Sequence, residues 1–162
     1  MEKTKFTRDE KNARLTIERR FPAEPTRVWE ALTKPALLDQ WWAPKPWKTE
    51  TVRMDFRVGG QWLYSMNGPA GEKHFGLMEY TAIEPVRRYE AADVFCDAEG
   101  KPNAALPRQV FTNTLTAEGK QTKLVTVVQY SSLEDMQRIL EMGMQEGLTM
   151  AYDQLEALFA AR

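Results

Sequence analysis

One cysteine and one histidine stand in a chain of 162 residues, and their scarcity removes several chemistries at once. With Cys96 alone, neither an internal disulfide nor a cysteine-rich zinc site can form, and the chain suits a reducing compartment. With His74 alone, any Ser-His-Asp or Cys-His device has to use that residue, and the sequence contains no G-x-S-x-G elbow and no H-E-x-x-H pair. The carboxylates show no metal-loop spacing, so no metal and no cofactor is expected. No stretch approaches the roughly 18 apolar residues of a spanning helix, and the opening MEKTKFTRDEKNARLT lacks the apolar core of a secretory signal. A cytoplasmic protein without membrane insertion is therefore expected. Charge of one sign is lacking too: Lys+Arg 22 against Asp+Glu 23 gives a net charge of -1, which leaves no field to draw nucleic acid. The pairs Arg19-Arg20 and Arg87-Arg88 read as solvated surface, and no nucleic-acid partner is expected.

What is present is the material of one folded domain: 43% hydrophobic and 28% charged residues, with no repeat, low-complexity tract or shift of composition. Residues 1–12 read as a loose tail ahead of a single domain over 13–162. Residues 14–21, RLTIERRF, alternate as a strand does, and PAEPTRVWEALT then turns to helical spacing behind Pro25. A second short helix, ALLDQWW, starts at Pro35 and is stopped by Pro44 and Pro46. From Lys48 to Tyr130 the period is two, broken by turn signals at Gly59-Gly60, NGPAG, Glu84-Pro85, DAEGKPN and AEGK, which predicts six antiparallel strands. Alternation groups Val52 with Met54 and Phe56, Trp62 with Tyr64 and Met66, and Gly76 with Met78 and Tyr80 on inward faces.

The last thirty residues carry Met136, Leu140, Gly143, Met144, Gly147, Leu148, Ala151, Leu155 and Phe159 at three-and-four spacing, one buried face of a helix of about 27 residues. Ser131 and Glu134 are expected to cap it. The order β-α-α-β6-α, with about seven strands, is an α+β domain whose curved antiparallel sheet wraps a long C-terminal helix.

In that order, PAEPTRVWEALTKPALLDQWWAP, DFRVGGQW, FGLMEYTAIEP, VFCDAEGKPN and GMQEGLTMAYDQLEAL resemble the START/birch-pollen-allergen helix-grip superfamily, also labelled SRPBCC. The branch they resemble is that of the activator-of-heat-shock-protein-90-ATPase-like proteins, and the likeness runs from about residue 13 to 160. The resemblance implies a deep cavity between sheet and helix in which members hold lipids, hormones, polyketides or other apolar molecules. It does not imply one activity. Many relatives place Trp directly after the second helix glycine, where this chain has Leu148, so a reshaped pocket is expected here.

Binding of a hydrophobic small molecule, lipid-like, aromatic or polyketide-like, is the expected function. The alternatives are a cyclase or hydrolase acting on such a ligand, and a co-chaperone-like module stimulating the ATPase of the 90-kDa heat-shock protein, as a monomer or homodimer. The cavity set begins with Gly143 and Gly147, which either let the helix approach the sheet or leave room for a ligand, followed by Met144, Leu148 and Ala151. Met54, Met66 and Met78 bring thioethers suited to adaptable apolar surfaces. Of the tandem Trp41 and Trp42, one belongs to the core and the other to the pocket mouth, with Phe56 and Trp62 on the concave face. Tyr64, Tyr80 and His74 are candidates for orienting a ligand's polar group. The catalytic candidates are thin: His74 is more simply a structural or ligand contact, and Asp93, on the strand parity of Phe95, would need a partner if it pointed inward.

Overall fold

A computed structural model describes residues 3–161. The order is β1(Lys5–Asp9), β2(Arg14–Phe21), α1(Pro25–Thr33), α2(Pro35–Trp41), β3(Lys48–Met54), β4(Gln61–Asn67), β5(Lys73–Glu84), β6(Arg88–Cys96), β7(Gln109–Glu118), β8(Gln121–Gln129), α3(Leu133–Glu141) and α4(Met144–Ala160). All eight strands form one antiparallel sheet in the order β1-β2-β8-β7-β6-β5-β4-β3. After β2 the chain crosses through α1 and α2 to the far edge, then meanders back strand by strand until β8 lies beside β2. Irregularities between Thr51 and Arg53 and between Tyr80 and Ala82 shift the register of β3 against β4 and of β5 against β6.

The eighth strand corrects the expected tail. Residues 5–9 pair with β2 from Lys5 opposite Glu18 to Asp9 opposite Arg14, and only residues 1 and 2 lie outside the described residues at that end. The register shift in β3 also breaks the expected alternation: Val52 is 52% exposed instead of sharing an inward face with Met54.

The C-terminal segment is two helices. Gly143 has φ 90°, a left-handed conformation that only glycine adopts without strain, and it closes α3 and begins α4. The N-cap of α3 is Ser132, not Ser131; its hydroxyl accepts the Asp135 backbone N–H at 3.1 Å, a bond worth about 1 kcal/mol. Past the break, α4 buries Ala151, Tyr152, Leu155 and Phe159 against the sheet. Among the described residues no helix is long and apolar enough to cross a membrane.

The core is unevenly filled. At one end Trp29, Phe56, Tyr80 and Tyr89 meet edge to face with centroids 4.7–5.9 Å apart, and Phe21 packs on Tyr152 at 5.5 Å and on Phe159 at 5.8 Å. Arg19, expected on the surface, points inward with Leu15, Ile17 and Phe21, its side chain fully buried. Its guanidinium donates to Asp153 at 2.9 Å and Glu156 at 3.1 Å on α4 and to the Thr4 hydroxyl at 2.6 Å, which fastens the helix to β2.

Candidate functional site

The other end of the core is hollow. A cavity of about 290 Å³ lies between the concave face of β4–β7 and the junction of α3 with α4. The sheet contributes Tyr64, Met66, Gly76, Phe95 and Phe111; the helices contribute Ile139, Met144, Leu148 and Ala151, with Trp42 and Pro44 closing one side. Gly143 and Gly147 line the wall as well, so the bare turn leaves space where a side chain would project. A Cβ at Gly147 would meet only Pro44 Cγ at 3.8 Å.

Strand register explains which polar groups reach this apolar space. Tyr64 on β4 stands opposite Gly76 on β5, and a Cβ at Gly76 would lie 2.5 Å from both Cζ and the hydroxyl of Tyr64. Glycine there lets the phenol lie flat across β5 and reach Asp93 on β6, Oη to Oδ1 3.4 Å. In the next register row Asp93 stands opposite Gln109 on β7. The Gln109 Oε1 accepts the Tyr130 hydroxyl at 2.9 Å, while its Nε2 has no hydrogen-bond partner among the described residues. The Trp42 indole N–H is buried outside hydrogen-bond geometry, near enough to the Tyr64 hydroxyl to favour its phenolate slightly.

The electrostatics follow from burial. Loss of water raises the Asp93 carboxyl from 3.8 to about 7, and the Tyr64 hydrogen bond offsets only part of that. Burial first, and the Asp93 charge second, push the Tyr64 phenol well above its usual value. No lysine or arginine lines the cavity, and Asp93 belongs to no ion pair among the described residues. Asp93 is thus a half-buried carboxyl in an apolar wall, held above the usual carboxylate range by loss of water.

Of the residues expected around the cavity, Trp42, Tyr64, Met66, His74, Gly143, Met144, Gly147, Leu148 and Ala151 line it, and Asp93 joins them. Trp41, Met54, Phe56, Trp62, Met78 and Tyr80 do not. Trp41 is the core member of the tandem pair, its indole N–H donating to the Ala31 carbonyl at 2.9 Å. Trp62 and Met78 are buried, the former tied to Thr51 at 3.0 Å. Phe56 lies beyond the end of β3 and packs with Tyr80 in the filled end, while Met54 is half-buried against the core. His74 is exposed at the mouth, stacked on Trp47 with centroids 5.5 Å apart. Gln109 and Phe111 escaped the sequence reading although the alternation of QVFTNTLT puts both on one face; Ile139 escaped it because the break at Gly143 resets the helical face.

A curved antiparallel sheet holding a C-terminal helix over an apolar cavity defines an α+β helix-grip domain. The chain belongs to the family described as Activator of Hsp90 ATPase homolog 1-like protein, whose model matches residues 22–160. Protein Ms6760 from Mycobacterium smegmatis is 34% identical and superposes with a TM-score of 0.88 over 95% of this chain and 94% of its own. A protein from Arthrobacter aurescens, solved by solution NMR, is 32% identical with a TM-score of 0.91 over 98% and 92%. Protein NE0264 from Nitrosomonas europaea is 25% identical with a TM-score of 0.78 over 91% and 94%. No curated protein matches the chain.

Proposed function

We propose that the protein binds an apolar small molecule in the cavity between β4–β7 and the α3–α4 junction, with one polar group of the ligand turned toward Asp93, Tyr64 and Gln109. The observation that carries this reading is the cavity itself: about 290 Å³ walled by aromatic, methionine and aliphatic side chains, with its few polar groups gathered on one wall. Apolar surface buried there contributes about 25 cal/mol per Å², and the polar wall sets orientation. The volume is at the small end for drug-sized ligands, which favours one or two rings or a short chain over a sterol.

The test is thermal unfolding against matched concentrations of fatty acids, flavonoids, aromatic polyketides and sterols, in the wild type and in Gly147→Trp. A ligand at about 100 times its dissociation constant adds roughly 2.7 kcal/mol to stability. A selective shift in the wild type that disappears in Gly147→Trp supports the cavity as the site. A shift that survives the substitution removes it. If no compound shifts the wild type, binding to the 90-kDa heat-shock protein becomes the reading to pursue, by pull-down with the purified chaperone.

One observation favours a second reading, proton transfer on the bound ligand. A carboxyl at about 7 is half ionised near neutrality and accepts or gives a proton readily, and the Tyr64 hydroxyl lies within reach of the same atom. Turnover of a bound ligand that is lost in Asp93→Asn, with binding of the ligand kept, would put this reading first.

A further inference from the structure

We infer that the cavity selects a cationic ligand, an apolar amine whose ammonium pairs with Asp93 while its hydrocarbon part fills the space between sheet and helices. This rests on the cavity reading above and specifies the ligand for the same site. The charges are out of balance: Asp93 is a carboxyl on an apolar wall that no lysine or arginine lines, and it belongs to no ion pair among the described residues.

The imbalance holds on every side. On β4 the group facing Asp93 is the Tyr64 hydroxyl at 3.4 Å. The other titratable groups that feel its charge are Tyr80 on β5, Cys96 on its own strand and Tyr130 beyond β8, all neutral at neutral pH. The two C-terminal helices bring Ile139, Met142, Met144 and Leu148 to the cavity and no charged side chain. His74 stands at the mouth, stacked on Trp47. The nearby Arg53 acts on Cys96, with no resolved effect on Asp93.

Asp93 is half-buried, and a carboxylate partly withdrawn from water without a counter-charge carries a cost that a ligand's positive charge offsets. An ammonium brings its own charge and donors; the Asp93 carboxylate and the Tyr64 oxygen are acceptors for them. Trp42, Tyr64, Phe95 and Phe111 supply aromatic rings around the same space, which attract a cation further. A carboxylate ligand meets the opposite conditions: it would place two acids side by side in an apolar cavity that no lysine or arginine lines. The wall therefore discriminates against free fatty acids and aromatic acids even though their hydrocarbon parts fit. Burial that raises the Asp93 carboxyl to about 7 agrees with this, because it is the signature of an anion that lacks a partner.

The experiment compares three head groups on two scaffolds by isothermal titration at pH 8: 1-naphthylmethylamine, 1-naphthalenemethanol and 1-naphthoic acid, then decylamine, decanol and decanoic acid below their aggregation concentrations. The expected order on each scaffold is amine, then alcohol, then acid, with the amine ahead of the alcohol by at least about tenfold, the scale of a charge-assisted bond. In Asp93→Asn, checked for folding by circular dichroism, the lead of the amine over the alcohol disappears. In the wild type the advantage also shrinks on moving to pH 5.5, as Asp93 takes up its proton. Equal binding of alcohol and amine, tighter binding of the acid, or an amine preference that survives Asp93→Asn overturns the inference. If the alcohols bind and Gly147→Trp abolishes that binding while amines gain nothing, the selectivity falls and the cavity stands. If nothing on either scaffold binds the wild type, both fall together.

Discussion

Burial holds the Asp93 carboxyl at about 7 against 3.8 for the free side chain, so the folded protein keeps a proton there that the unfolded chain has already lost. Because the folded value is the higher one, Asp93 imposes no penalty below about pH 4, an increasing one as pH rises toward 7, and a constant one above. Each unit of difference corresponds to about 1.4 kcal/mol, so a penalty of a few kcal/mol is expected at pH 8. The lowered carboxyls Asp9, Asp97, Glu118 and Glu156 act the other way, with stability present above their unfolded values and lost only as pH falls through the acid range. Thermal melts should therefore show the wild type less stable at pH 8 than at pH 5.5, with Asp93→Asn nearly level between the two and more stable than the wild type at pH 8. Gly76 gives a second expectation at this scale. Gly76→Ala puts a methyl into the Tyr64 ring, and displacing the ring costs about 1–3 kcal/mol by denaturant unfolding while separating the phenol from Asp93. Tyr64→Phe keeps the packing and removes the hydroxyl; the Asp93 carboxyl, losing the bond that lowers it, should titrate higher by NMR.

The elements were legible wherever a local rule decided them. Pro25 and Pro35 begin α1 and α2, and the turn signals between Gly59 and Gly119 separate strands that form where alternation placed them. What escaped were decisions that a neighbouring element makes. β1 has a weak pattern of its own, with most of its side chains outside the core, and exists because β2 offers it an edge. The apolar spacing of the last thirty residues runs straight through Gly143, so periodicity alone could not reveal the turn that splits them. Six of the fifteen residues expected around the cavity lie away from it, Phe56 and Tyr80 among them: both face the core as read, but inward means the filled end for some rows and the hollow end for others. Two expectations belong at this scale. Gly143→Ala forces a Cβ into φ 90° and should lower stability by about 1 kcal/mol or more in chemical denaturation. At the Arg19 clamp, Asp153→Asn combined with Glu156→Gln leaves a fully buried guanidinium without these counter-charges and should lower stability by about 1–3 kcal/mol, less than a pair buried on both sides because Asp153 is 58% exposed; Arg19→Met, which removes the charge and keeps an apolar stem, should be the milder change.

Across the whole molecule one sheet serves two purposes along its strands. The end bearing Trp29, Phe56, Tyr80 and Tyr89 is packed as a core, and Arg19 ties α4 to β2 away from the cavity. The end bearing Tyr64, Gly76, Phe95 and Gln109 leaves about 290 Å³ unfilled, with the α3–α4 turn over it. Solved structures only 20–34% identical to this chain share its fold, so that fold is compatible with widely different sequences. The division says where replacement is cheap. A side chain exchanged at Leu148, Met66 or Phe95 borders empty space on one side, so a change in its size is absorbed by the void before it strains a neighbour. The same exchange at Tyr80 has rings on several sides and no such slack. Side chains at the hollow end can thus be exchanged one at a time with the filled end left intact, so a new ligand preference need not be bought with the stability of the fold.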